Sequence, residues 1–404
     1  MTGRSPRSPL LALLLAAACS RPVPPRPPAA AQASAPPPAT RGQLAQVRPP
    51  PAPCARRGPA RLLLEEADLE LDRGQPARAL ACAEEALRLA PRLVAGLRLR
   101  AEALVDLDRL DDARLALSRA LAIDPDDAET LHAAADLYVA RLPGDRATLE
   151  LGLEYALRGA RAAERRGRAD AELTGALVLL AAMAENDLGE SRAALAHAER
   201  ALALHRGDVD AQYERGVALY ELCRFDEARG ALERVRAQKP EDAWTLHYLA
   251  LVAERSGQGR HAEELERRAR TLAPDELGGG VTIARADFEA EVRRAVAALP
   301  EVERRALQAV PLEVADVPAL DDLTAVDPPL SPSILGLFRG PSEGEPCLPE
   351  DGPRCRSVVL YRLNLARFAR SQADLSEQVR VTLLHELGHL HGESDDELRA
   401  RGLE

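Results

Sequence analysis

The sequence predicts an all-α solenoid of helical repeats followed by a small α+β domain. Three observations support this fold class. Small residues recur at a fixed spacing through residues 59–274. The composition changes after Pro274, and the glycine run 278–280 is predicted to be a hinge. A His-Glu-x-x-His motif then lies near the end of the chain, in a segment with helical periodicity.

The N-terminus has the pattern of a bacterial lipoprotein signal peptide. Two arginines precede the apolar run Leu10–Ala18, which is too short to span a bilayer. Small residues lead into Cys19, as in a lipobox, so residues 1–19 are predicted to be the signal and Cys19 to carry the lipid. We expect a lipoprotein of the bacterial cell envelope, at the outer membrane or periplasmic face, held to the membrane only by its lipid. The alternatives are an ordinary cleaved signal and an uncleaved, cytoplasmic N-terminus.

Residues 20–58 are predicted to be an extended tether. Residues 21–53 contain 12 prolines among alanine, glutamine and arginine, a composition that cannot bury a core. At the polyproline rise, such a segment would reach about 100 Å. It would hold the folded part away from a membrane surface.

Five cysteines follow Cys19. Cys347 and Cys355 close a short loop, and a disulfide between them is expected in an oxidising compartment. Cys82 and Cys223 lie in the repeats and are predicted to be small buried apolar residues. Cys54, at the end of the tether, has no predicted role. No CxxC pair occurs, which argues against cysteine-bound zinc.

Residues 59–274 are predicted to form about six helical repeats. Their period is 34 residues: Ala67, Ala79, Ala86 and Pro91 return as Ala101, Ala113, Ala120 and Pro125. Small residues let paired helices approach closely, and proline ends the second helix of each pair. The pattern resembles tetratricopeptide repeats.

This resemblance implies a curved array with a concave face that holds a protein partner or peptide. The alternative is a spacer with no specific ligand. The formal net charge is −11, so the chain has no basic footprint for nucleic acid.

Residues 275–404 are predicted to form the α+β domain. Its expected elements, in order, are a helix over Ala284–Leu299, a strand over Val310–Val317, a short apolar segment Leu335–Phe338, a strand over Ser357–Leu365 and a final helix that ends at Gly392. The final helix is expected to begin at Asp374, with Glu377 completing a capping box.

The final helix carries the predicted metal site. His385 and His389 are one turn apart on one face and are expected to bind a single Zn²⁺, with Glu386 as general base. Gly392 can end the helix in the left-handed conformation and return Asp395 to the metal as third ligand. Glu393 and Asp396 are the alternatives for that ligand.

The string His385–Asp395 resembles the metzincin pattern HExxHxxGxxH, with Asp in place of the third His. Residues 284–404 are similar to the minimal, matrix-metalloprotease-like zincin domains of bacteria. The resemblance implies a zincin fold, a zinc peptidase activity and an edge strand that pairs with substrate, for which Val358–Leu363 is the candidate. A Met-turn is absent, since the only methionines are Met1 and Met183.

These features lead to a membrane-anchored zinc metalloendopeptidase that cleaves a peptide or protein substrate recruited by the repeats. A second hypothesis is a tetratricopeptide scaffold lipoprotein with a weakly active or structural zincin domain. A third is a closed structural metal site that uses both Glu393 and Asp395.

Overall fold

The computed structural model describes residue 54 and residues 56–166, 170–347 and 355–403. The chain divides into two compact units, and the boundary falls between Ala218 and Leu219. The predicted signal peptide, the lipidation site Cys19 and all but the end of the tether lie outside the described residues. No helix in the described ranges is long and apolar enough to cross a membrane.

The first unit is built of helices that pack in sequence, each against the next. They are α1 (Ala60–Asp72), α2 (Pro76–Leu89), α3 (Val94–Asp106), α4 (Leu110–Ile123), α5 (Ala128–Asp136), α6 (Arg146–Arg165), α7 (Ala171–Leu188) and α8 (Ser191–Leu204). A π-helical turn, Leu137–Arg141, follows α5. Helix α9 (Val209–Glu221) contains the boundary between the units.

The periodic alanines lie where helices touch. These side chains are at most 1% exposed at Ala67, Ala79, Ala101 and Ala113. Small buried residues of this kind let neighbouring helices pack closely. Proline opens α2 at its first position, where the missing N–H has no helical partner. The small residues that recur along the sequence therefore mark the positions at which neighbouring helices contact each other.

Cys54 and Cys82 form a disulfide across a sequence separation of 28 residues. Cys82 is buried as predicted, but it is a disulfide partner rather than only a small apolar residue of the core. The end of the tether segment folds back onto α2 and brings Cys54 to it. Cys223 is a free thiol.

The second unit contains the last repeats and the α+β domain. Its helices and strands are α10 (Phe225–Gln238), α11 (Ala243–Arg255), α12 (Gly259–Leu272), α13 (Pro274–Leu277), α14 (Arg285–Ala298), α15 (Glu301–Ala309), β1 (Leu312–Ala315), α16 (Leu320–Leu323), β2 (Gly336–Arg339), β3 (Ser357–Tyr361), α17 (Arg362–Phe368), α18 (Gln372–Leu390) and α19 (Asp395–Ala400). This compact unit begins well before residue 275, where the α+β domain was predicted to start.

Several predicted elements have different bounds in the structure. The strand expected over Val310–Val317, for example, covers only Leu312–Ala315. The strand expected over Ser357–Leu365 ends at Tyr361 and continues as α17, because the residues that follow are mostly good helix formers. Helix α18 begins earlier than predicted: Ser371, rather than Asp374, is its N-cap and accepts a hydrogen bond from the Asp374 N–H.

The three strands of the described sheet have the order β1-β3-β2. Strand β3 runs parallel to β1 and antiparallel to β2, so it is the central strand. Its five residues are all buried. The edges of the sheet are β1 and β2.

The core of the α+β domain lies between the sheet and α14 and α18. Phe338, Val358 and Leu360 project from one face of the sheet into a cluster with Phe288, Leu383 and others. Residues that alternate with these along the strands project from the other face. The position of α18 against the sheet is therefore set by its apolar residues, independently of its polar side chains.

Reducing the Cys54–Cys82 disulfide, or changing Cys54 to Ser, should destabilise the first repeat by about 3 kcal/mol, because the open chain gains the loop entropy that the bond removes. Hydrogen exchange of α1 and α2 measures this change. Cys223→Ser is the control, since Cys223 forms no disulfide. Equal exchange in the oxidised and reduced proteins would contradict the prediction.

Candidate metal centre

Two histidines of α18 bring their ring nitrogens together. His385 and His389 lie one turn apart, and their Nε2 atoms are 3.0 Å from each other. Both rings are largely buried, with side chains 4% and 9% exposed. The separation comes directly from the helical repeat, since residues four apart lie on one face.

A tight turn returns the chain to these histidines. Gly392 has φ of +87°, and the Glu393 N–H donates to the Gly388 carbonyl, closing the end of α18. Ser394 and Glu397 then form a capping box that starts α19. The turn places Asp395 Oδ1 3.4 Å from both His385 Nε2 and His389 Nε2.

Each ring is oriented by a main-chain carbonyl. His385 Nδ1 donates to the Leu403 carbonyl at 2.7 Å, and His389 Nδ1 donates to the Glu393 carbonyl at 3.0 Å. A carbonyl only accepts, so each Nδ1 carries a hydrogen and each neutral ring presents a lone pair on Nε2. Carbonyl partners of this kind support histidines as metal ligands.

The donor set fits a zinc ion. Two Nε2 lone pairs and one carboxylate oxygen converge, and all three atoms are hydrogen-bond acceptors. Without a cation or an added proton between them, these acceptors repel one another. Within the described ranges, His385, His389 and Asp395 form the one group of three residues with the spacing to hold a metal ion. Three protein ligands leave a position for water or substrate.

The pKa shifts of the clustered side chains agree with this geometry. Burial opposes ionisation of Asp395, but when a proton is added to the histidines their hydrogen bonds and positive charge outweigh it and hold the pKa of Asp395 well below its usual range. Burial also opposes protonation of His389, yet Asp395 and Glu386 raise its pKa above the usual value. The raised pKa of His389 and the lowered pKa of Asp395 both show that the cluster favours a positive charge at its centre.

Glu386 lies beside the histidines and is only 1% exposed. The Phe338 N–H of β2 donates to Glu386 Oε2 at 2.6 Å, whereas Oε1 has no hydrogen-bond partner among the described residues. Burial raises the pKa of Glu386, although the nearby histidines partly oppose this. A desolvated carboxylate with one unengaged oxygen is a good proton acceptor.

Two glycines make room for this arrangement. A Cβ added at Gly336 would lie 2.9 Å from Glu386 Oε1 and 2.6 Å from Thr382 Cγ2. A Cβ at Gly388 would collide with Leu398 of α19. The roles of Gly336 and Phe338 were not predicted from the sequence. A glycine inside a strand often marks the close approach of another element, and Gly336 was such a signal.

The alternative third ligands are engaged elsewhere. The Glu393 carboxylate pairs with Arg401, and Asp396 is 91% exposed and pairs with Arg399 at 2.6 Å. Glu393 instead contributes its carbonyl to His389. The geometry thus favours Asp395 and offers no fourth protein ligand from Glu393.

The prediction that Val358–Leu363 is the substrate-binding edge strand is wrong. Val358–Leu363 was expected at a sheet edge, but β3 is paired on both sides and its last two residues belong to α17. The edge strand nearest Glu386 is β2. Cys347 and Cys355, predicted to form a disulfide, are bonded to each other in the loop between β2 and β3.

Both the repeats and the C-terminal domain match known protein families. Residues 307–403 match the family model described as "Zincin-like metallopeptidase". Residues 64–128 and 182–254 match two models described as "Tetratricopeptide repeat". The chain joins tetratricopeptide repeats to a zincin-like metallopeptidase domain. The predicted fold class is thereby confirmed.

Among solved structures, similarity is to tetratricopeptide proteins. PilW, a type IV pilus biogenesis factor, is 19% identical over 53% of this chain and 94% of its own, with a TM-score of 0.45. The pilF protein of Pseudomonas aeruginosa is 16% identical over 53% and 92%, also with a TM-score of 0.45. YrrB, a protein with an unusual peptide-binding site, is 20% identical over 48% and 93%, with a TM-score of 0.38. No curated protein matches significantly.

Asp395→Ala should lower the affinity for zinc by at least about 100-fold, because it removes a carboxylate that binds the metal directly. Removing a residue that only bonds to a metal ligand typically costs about 10- to 100-fold in affinity, and losing a ligand should cost more. Zinc titration with a competing chelator measures the affinity. Asp396→Ala is the matched control, since this neighbouring carboxylate is solvent-exposed and pairs with Arg399. Equal affinities for the two variants would reject Asp395 as a ligand.

Proposed function

We propose that the C-terminal domain is a zinc-dependent endopeptidase and that the repeats recruit its substrate or a protein partner. The convergence of two histidine nitrogens and one carboxylate oxygen beside a buried glutamate is the observation that carries the proposal. When held by His385, His389 and Asp395, zinc would supply a Lewis acid that polarises a peptide carbonyl and lowers the pKa of water.

The protein's own groups then define the remaining steps. Glu386 Oε1 accepts a proton from the attacking water, while the Phe338 N–H holds Oε2 in place. After the tetrahedral carbon has formed, Glu386 returns this proton to the leaving amine. Because Glu386 is buried, few waters compete for the proton.

An extended peptide would pair with β2. Leu337 faces Val359 in the antiparallel register, and the Tyr361 N–H donates to the Leu335 carbonyl. By alternation, the main-chain groups of Gly336 and Phe338 point away from β3. Because the Phe338 N–H is bonded to Glu386, a peptide added on that side would pair with the N–H and carbonyl of Gly336 and with the carbonyl of Phe338, and it would run past Glu386.

Glu386→Gln should retain zinc but slow hydrolysis of an unfolded protein substrate by at least about 100-fold, since an amide cannot act as general base. Zinc content and casein cleavage are measured together. Glu377→Gln on the same helix is the control, because Glu377 is exposed and pairs with Arg380.

Unchanged hydrolysis in Glu386→Gln would refute the proposal. If the wild-type protein binds zinc, cleaves nothing and keeps its cellular role after Glu386→Gln, the repeat scaffold becomes the better function. The two hypotheses differ only in whether Glu386 acts as a base, so this variant separates them.

The proposal also places the protein in the bacterial cell envelope through lipid on Cys19. The basic and apolar residues before Cys19 support this. Cys19→Ala should abolish incorporation of labelled palmitate and move the protein from the membrane fraction to the soluble fraction. Membrane retention of Cys19→Ala would contradict lipid anchoring.

A further inference from the structure

The sheet of the zincin-like domain has a second covered face. Leu337, Val359 and Tyr361 alternate with the residues that face α18, and all three are at most 5% exposed. They pack in a cluster with Leu323 and Ile334. This cluster lies on the side of the sheet opposite the core between α14 and α18.

Part of the cover comes from a repeat. Cys223 and Phe225, at the turn between α9 and α10, pack against this cluster. The Cys223 thiol also lies 3.8 Å from the Leu330 carbonyl. The Arg255 guanidinium, at the end of α11, stacks 5.0 Å from the centre of the Phe225 ring and fixes its position.

An ion pair joins the same elements. Arg367 of α17 donates to Glu254 of α11 at 2.6 Å, with side chains 20% and 16% exposed. Charge interactions with Glu254 and Glu266 outweigh the burial of Arg367 and raise its pKa. Breaking such a pair leaves a largely desolvated charge, which is costly.

The glycine run 278–280 is therefore not a free hinge. The Val281 N–H, directly after it, donates to the Ala366 carbonyl of α17 at 2.7 Å. An added Cβ at Gly280 would lie 2.8 Å from the Arg270 guanidinium of the last repeat. Residues 219–403 thus form one compact unit through contacts on both sides of this run.

We propose that the turn between α9 and α10, together with α11, covers the second face of the zincin-like domain's sheet and positions Glu386 through strand β2. Leu337 belongs to the cluster that Phe225 covers, and the next residue, Phe338, donates its N–H to Glu386. Loosening Phe225 would let β2 move and release the Glu386 carboxylate. The packing part of this inference is independent of the proposed peptidase activity, and only its consequence for catalysis rests on it.

Phe225→Ala in the full chain tests the inference. Hydrogen exchange of residues 336–339 and 357–361 should accelerate at least about tenfold, because the second face of the sheet loses an aromatic cover. The matched control is Leu232→Ala, a fully buried residue of the same helix α10 that lies outside the cluster. It should loosen the repeat without changing exchange in the strands.

A spectroscopic readout separates positioning of Glu386 from general destabilisation. The Phe338 amide resonance should shift in Phe225→Ala and in Glu386→Gln, but not in Leu232→Ala, and Phe225→Leu should restore it in part. If Phe225→Ala does not fold, Glu254→Gln, which keeps the shape and removes the charge, should shift the same resonance. Unchanged strand exchange in Phe225→Ala, or equal effects of Leu232→Ala, would overturn the inference whether or not the protein cleaves peptides.

Discussion

The candidate metal centre depends on holding three hydrogen-bond acceptors, two imidazole nitrogens and one carboxylate oxygen, within reach of a single ion. Two imidazole nitrogens and a carboxylate oxygen repel each other in the absence of a cation, so the protein must fix them by other bonds. It does so with the Leu403 and Glu393 carbonyls, which hold the two rings, and with the Gly392 turn, which holds Asp395. The cost of this arrangement is offset by the apolar packing of α18.

One helix therefore serves both the core and the chemistry. Leu383 and Leu387 anchor α18 against the sheet, while His385 and Glu386 are buried on its other sides. Strand β2 contacts this helix through Gly336, where no side chain intervenes. The main chain of β2 thus lies directly against the Thr382 and Glu386 side chains of α18, and a displacement of either element changes the environment of Glu386.

The local parts of the site could be predicted from the sequence, and the distant parts could not. The histidine spacing follows from the helical period, and the return of Asp395 follows from Gly392 as a helix stop. The bond from Phe338 to Glu386 spans 48 residues, and no local pattern encodes it. The central position of β3 was missed for the same reason, because alternation in one strand does not reveal how many neighbours it has.

The Cys54–Cys82 bond also determines how mechanical tension would enter the protein. A pull on residues before Cys54 passes through the disulfide to α2 and leaves α1, which lies in the loop that the bond closes, outside the loaded path. Terminal elements of a fold ordinarily open at the lowest free-energy cost. Here a covalent bond transfers the load to the second helix of the first repeat, so drag on the folded part would not peel α1 from the array.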